Sequence, residues 1–171
     1  MVTAIFIWTD LPACGVIDMT TNFNANDFPK MVGHELEPSS WMEITQQRVN
    51  DFADATIDHQ FIHVDPERAA QTPFGGPIAH GFLTLSLISH LTSEHSLKPE
   101  GLVMGINYGS DKVRFLQPVR VGSRIRALQK ILEVTKKKPG QWLIKTAVTV
   151  EIENQHKPAL IAEFLAMFIV K

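Results

Sequence analysis

Between Leu102 and Val170 the chain carries four long segments rich in β-branched and aromatic residues, and this pattern most narrows what it can fold into. The segments are Leu102 to Gln117, Arg124 to Val134, Gln141 to Glu153 and Ala159 to Val170. They are separated by Pro118-Val119-Arg120-Val121-Gly122, by Lys136 to Gly140 and by Asn154 to Pro158. Connections this short, built on Pro, Gly and Asn, suit antiparallel neighbours rather than parallel crossovers. In the third segment Ile144, Thr146, Val148, Val150 and Ile152 alternate with Lys145, Thr149 and Glu151, which buries one face. The fourth is apolar at both parities apart from Glu163, as expected of a central strand.

Ahead of these strands, Ala79 to Glu94 reads as a helix. Phe82, Leu83, Leu85, Leu87, Ile88 and Leu91 occupy most of its circumference, so it is predicted to be covered on nearly all sides. The sheet is what can cover it, and the expected class is α+β: an antiparallel sheet wrapped around one long central helix. A chain of 171 residues, 44% hydrophobic, is the size of one domain with a substantial core. That domain is placed at residues 28–171, after a lead-in of residues 1–27. Within it, Trp41 to Thr45 reads as a short strand, and Thr45 caps a helix from Gln46 to about Ala55 with Val49 and Phe52 on one stripe. Asp65 is a natural N-cap for a short helix from Pro66 to Ala70. Thr72 to Pro77, with two Pro and two Gly, is a loop.

Composition removes several functions. Sixteen basic against 18 acidic residues give a formal charge of -2, without the global positive field that nucleic-acid binding requires. The single cysteine, Cys14, excludes an internal disulfide and a multi-cysteine zinc site, and fits a reducing cytoplasm. Ala159 to Val170 is interrupted by Glu163 and falls short of the ~20 residues that span a bilayer. Ala4 to Trp8 is apolar, but no Lys or Arg precedes it and Asp10 follows, so a secretory signal is rejected. Residues 1–18 are expected to be dispensable, with Met19 as an alternative start. A soluble, cytoplasmic protein without membrane or nucleic-acid partners is expected.

The chemistry concentrates at Asp58-His59-Gln60-Phe61-Ile62-His63-Val64-Asp65. An acid and a histidine held on one loop can orient a water and take its proton, because their ordinary pKa values, about 3.9 and 6.5, leave one ionised and the other exchanging near neutrality. His59 and His63, flanked by Asp58 and Asp65, also admit a metal reading. Pro66 and the lack of a helical pattern argue against two ligands on one helical face, so no metal is expected. Asp65 is assigned to capping.

The ordered set Asp58-x-x-x-x-His63-x-Asp65, Gly76-Pro77-Ile78-Ala79-His80-Gly81-Phe82, Asn107-Tyr108-Gly109, Val113-Arg114-Phe115 and Pro118-Val119 resembles the MaoC-like (R)-specific enoyl-CoA hydratases, in their NodN-like branch. The resemblance covers roughly residues 28–170 and implies the hot-dog fold. It further implies reversible hydration of a trans-2-enoyl thioester, carried by coenzyme A or an acyl carrier protein, to the (3R)-3-hydroxyacyl thioester. No cofactor is implied. By the same resemblance Asp58 and His63 are the water-holding pair, the Gly81 backbone N–H stabilises the thioester oxyanion, and Ser86 hydrogen-bonds the acid. Gly81 can instead serve helix–sheet packing alone, and Ser86 can instead bond back to the preceding turn. The chain departs from the family at Ile57, where a Gly is usual before the acid, and at Gln60-Phe61, where Asn-Pro is usual. Gln60 can still donate an amide hydrogen bond, and His80 lines the pocket. Arg114, with Lys112, Arg120, Arg124 and Arg126, is a candidate for the coenzyme phosphates. A homodimer is expected, since hot-dog domains pair their sheets. Two other readings remain open: a hot-dog thioesterase, disfavoured because residues 81–93 hold no Asp or Glu, and a non-catalytic acyl-thioester binding subunit.

Overall fold

The computed structural model describes residues 23–171; Cys14 and the expectation for residues 1–18 lie outside them. A 3-10 helix, Ala25–Met31, is capped by Asn24. The short strands β1 (Glu35–Leu36) and β2 (Met42–Glu43) follow, then helices α1 (Gln46–Thr56), α2 (Phe61–Val64), α3 (Pro66–Ala70), α4 (Gly81–Ser86) and α5 (Ile88–Leu91). The remainder is β3 (Leu102–Phe115), β4 (Arg124–Lys138), β5 (Gln141–Ile152) and β6 (Leu160–Val170). Two caps form as the sequence predicts: the Thr45 hydroxyl accepts from Arg48 N at 3.2 Å and the Asp65 carboxylate from Arg68 N at 3.0 Å.

All pairings in the sheet are antiparallel, in the order β1-β4-β5-β6-β3, with β2 also on β4. The doubly apolar β6 is interior to the sheet, as its composition requires. Alternate residues of β4, β5 and β6, among them Ile125, Val148, Val150 and Leu160, face Ile44, Val49, Leu83, Ile88 and Leu91 in one core. Phe28 and Met31 close a second core over Ile131, Trp142 and Ile144. Each fully buried Ile, Leu or Phe contributes about 1.5–3 kcal/mol, so these two layers set the position of everything above them. β4 runs past the expected break to Lys138, and the turn is confined to Pro139-Gly140. Lys136 remains in the strand because its stem can lie along the surface, with Nζ 4.9 Å above the Trp142 ring.

β3 uses 14 residues to pair with the 11 of β6, and three register shifts absorb the difference. One falls at Tyr108, where Gly109 has φ +144° and the Asn107 side chain accepts from Gly109 N at 3.1 Å. Asn107-Tyr108-Gly109 thus encodes a β-bulge.

The long continuous helix expected over 79–94 is instead two short segments meeting at Leu87. Thr84, Ser86, Thr92 and Ser93 each turn a hydroxyl back onto a carbonyl three or four residues earlier, and such bonds compete with the backbone ladder. Nor is it covered on all sides. Phe82 is 68% exposed and Ser86, Ser89 and His90 are exposed with it, because the chain's own sheet reaches only the Leu83, Ile88 and Leu91 face. No helix among the described residues is long and apolar enough to cross a membrane.

α1 ends at Ile57, which adopts φ 60° and ψ 25° and is 84% exposed. The left-handed conformation costs a β-branched residue about 1–2 kcal/mol, a strain that glycine escapes. Set against the ~0.4–1 kcal/mol that glycine adds to unfolded-chain entropy, Ile57→Gly is expected to stabilise the fold slightly, by about 0.5–1 kcal/mol. Thermal unfolding followed by circular dichroism should show a midpoint raised by ~2 °C, and a lowered midpoint would contradict the assignment of strain.

Candidate active site

The end of α1 delivers Asp58 and α2 delivers His63. The Ala53 carbonyl accepts from both Ile57 N and Asp58 N, the latter at 3.1 Å, so the turn into Asp58 is fixed by main chain. Against this segment lies the stretch Ile78–His80, joined to it by three hydrogen bonds. Ile78 N donates to Ile62 O at 3.0 Å, His63 Nδ1 to Ile78 O at 2.7 Å, and His80 Nε2 to Asp58 O at 2.9 Å. The same stretch is tied to the loop before β4, through Ala79 N to Val119 O and Val121 N to Pro77 O. The Thr72–Pro77 loop is clamped from that loop as well, by Arg120 Nη2 donating to Gly75 O at 2.7 Å.

Those bonds assign tautomers. A carbonyl only accepts, so in neutral His63 the hydrogen is on Nδ1 and Nε2 carries the lone pair, which has no hydrogen-bond partner among the described residues. By the same logic His80 carries its hydrogen on Nε2, and its buried Nδ1 has no partner among the described residues. The two rings stack with centroids 3.8 Å apart. Burial pulls the His63 pKa below its ordinary 6.5; neighbouring His80 lowers it further, while the bond to Ile78 and the charge of Asp58 act in the opposite sense. His63 therefore stays neutral at pH 7, its Nε2 an acceptor.

A cavity of about 390 Å³ opens beside His63, lined also by Phe74, Ile78, Gly81, Thr84 and Phe115. Thr84 N is the first helical donor to reach a carbonyl, His80 O, so the Gly81 N–H precedes the ladder of α4. A Cβ on Gly81 would stand 3.2 Å from the Phe115 ring, so the missing side chain also serves close packing. A larger cavity of about 560 Å³, between Ser39–Glu43 and Arg48, His90 and Glu94, holds none of the predicted site residues.

The structure thus brings Asp58, His63 and His80 together, with Gly81 on the same cavity as His63. It does not bring the others. Ser86 Oγ donates to Phe82 O at 2.7 Å, the back-bonded alternative, on the exposed side of the helix. Gln60 caps α2 with no side-chain capping bond. His80, expected as pocket lining, is buried behind His63 and is not among the cavity's lining residues, because its ring is drawn back by the Asp58 carbonyl. The five-cation cluster is dispersed: Lys112, Arg124 and Arg126 pair across strands with Glu163, Glu153 and Glu151, as alternating charges on a solvated sheet face do. Arg114 donates to Val113 O, and of the five it and Arg120 have no carboxylate partner among the described residues. Thr84 and Phe115 on the cavity wall were not foreseen; their position depends on how the helix docks on the sheet, which no local pattern encodes.

Asp58, His63 and His80 each offer a ligand atom within 4.8 Å of the others. The His rings are inclined by only 28°, however, so their lone pairs run in nearly parallel planes rather than converging on one ion. His59 does not join them, since its Nε2 turns outward to Asp54 at 2.8 Å.

Comparison with known proteins gives the family. The family model described as MaoC like domain matches residues 27–155. Nodulation protein N of Rhizobium meliloti is 50% identical over 143 residues, 83% of this chain and 89% of that protein. The 3-hydroxyacyl-thioester dehydratase Z of Mycobacterium tuberculosis is 45% identical over 152 residues, 88% of this chain and 99% of that protein. Among solved structures, the (R)-hydratase from A. caviae involved in PHA biosynthesis superposes with a TM-score of 0.64 at 27% identity, over 79% of this chain and 94% of that one. The antiparallel sheet folded over its helix is the hot-dog fold, and the chain belongs to the MaoC-like dehydratase family.

Proposed function

We propose that the protein interconverts a trans-2-enoyl thioester and the (3R)-3-hydroxyacyl thioester by adding or removing water at Asp58 and His63. The observation that carries this reading is a buried His63 that hydrogen-bonds Ile78 O through Nδ1, has a ring nitrogen within 4.8 Å of an Asp58 carboxylate oxygen, and lines the same cavity as Gly81. An ionised carboxylate and an imidazole lone pair both accept, so a water donating one hydrogen to each has its oxygen lone pair directed outward. In hydration that oxygen attacks C3, one water hydrogen passes to the pair, and a proton is delivered to C2. Electron density moves onto the thioester oxygen as the C3–O bond forms. The Gly81 N–H, without a helical acceptor, is positioned to stabilise it. Dehydration runs the same steps backwards. The 45% identity to a 3-hydroxyacyl-thioester dehydratase supports this substrate class. Arg114 and Arg120 are the cations left to meet a coenzyme or carrier phosphate.

The acting form is a homodimer in this reading. Among the described residues β3 is an edge strand whose Leu102, Met104, Ile106 and Tyr108 are 38–61% exposed, and Phe82 on the uncovered side of the helix packs edge-on against Phe115 at 5.9 Å, at the strand's end. A second copy would remove this apolar surface from water.

Hydratase activity is followed as loss of enoyl absorbance with short and medium chain enoyl-CoA. Asp58→Asn and His63→Ala should each lower kcat/KM by at least ~100-fold, and wild-type rates in either would overturn the reading. Because Nε2 must be unprotonated to hold the water, activity is expected to fall as pH drops through the His63 pKa, with the midpoint of that fall below the ordinary 6.5. A pH–rate profile whose acid limb has its midpoint at 6.5 or higher would be inconsistent with that assignment. Light scattering should give twice the chain mass in solution, and Ile106→Glu should halve it; a monomeric wild type would refute the dimer.

A further inference from the structure

His80 is 3% exposed and held from three directions. Its Nε2 donates to the Asp58 main-chain carbonyl at 2.9 Å, one face stacks on His63 at 3.8 Å, and Phe52 packs on it at 5.1 Å. Its Nδ1 is buried without a partner among the described residues, which is unfavourable. A phenylalanine would fill the same space without that cost, so filling space does not account for a histidine here.

What the ring contributes is further order in two neighbours that few other contacts hold. The Asp58 side chain is exposed and forms no hydrogen bond among the described residues, and it follows a strained Ile57. Its placement rests on two main-chain bonds, Asp58 N to Ala53 O and Asp58 O from His80. For His63, the bond to Ile78 O sets the direction of the ring within its plane, and the stack on His80 sets the plane itself.

We propose that His80 is a positioning residue for the dehydratase reaction: one rigid ring that fixes Asp58 through its main-chain carbonyl and His63 through its face, without touching substrate. The proposal rests on the roles given above to Asp58 and His63. Two substitutions separate the ring's functions, since His80→Phe keeps the face and removes the donor, whereas His80→Gln keeps a donor and removes the aromatic face.

His80→Phe is expected to lower kcat by ~10- to 100-fold, as small displacements of reacting groups do, while KM changes by less than about threefold. His80→Gln should recover part of that loss. In the double variant Asp58→Asn/His80→Phe, the rate should match that of Asp58→Asn alone, because a residue acting through Asp58 has nothing left to position. Wild-type kcat in His80→Phe, or losses that multiply in the double variant, would overturn the proposal. An unaffected Asp58→Asn would overturn the chemical reading itself and this proposal with it. Long-range proton–nitrogen NMR of the wild-type protein gives a test that needs no variant to fold: His80 must carry its hydrogen on Nε2, and an Nδ1–H tautomer would refute the bond to Asp58.

Discussion

Three hydrogen bonds between Ile78–His80 and the Asp58–His63 segment hold the site together. The two segments lie far apart in sequence, and each has little regular structure: a four-residue helix on one side and an extended stretch on the other. Neither could hold a side chain to catalytic precision by itself. The extended stretch can do so because it leads directly into α4, whose Leu83 sits in the main core, and because Ala79 and Pro77 are tied to the loop before β4. Rigidity therefore passes from the packed sheet to the helix, from the helix to its first residues, and from them to the acid and the histidine.

This route explains which parts of the molecule could be read from sequence. The strands were readable because β5 alternates at period two and β6 is apolar at both parities, patterns that reflect one and two covered faces. The Thr45 and Asp65 caps were readable because their physics is local. The central helix was read too long: apolar content suggested full cover, whereas the hydroxyls of Thr84, Ser86, Thr92 and Ser93 interrupt it and one face is left open.

At the candidate site, residue type and spacing single out Asp58 and His63, which the structure places near each other, but they carry no signal for the contacts of His80. Its significance comes from a carbonyl 22 residues away, and a carbonyl has no sequence signature. Lys112, Arg124 and Arg126 went the other way, since their clustering suggests a phosphate site, whereas each is paired with a carboxylate, that of Glu163, Glu153 or Glu151. Ile57 stands between these cases. The residue stands where the family it resembles usually has glycine, and its backbone takes the left-handed conformation that favours glycine, so the strain falls on stability.

The bulges of β3 bear on how the chain avoids indiscriminate association. Among the described residues β3 is an edge strand of 14 residues with apolar side chains on it, which would ordinarily be a template for any passing strand. Three irregularities in that edge break the even spacing of donors and acceptors that a straight strand needs. The bulges thus act as teeth cut into the edge, spaced so that an ordinary straight strand cannot zip along it.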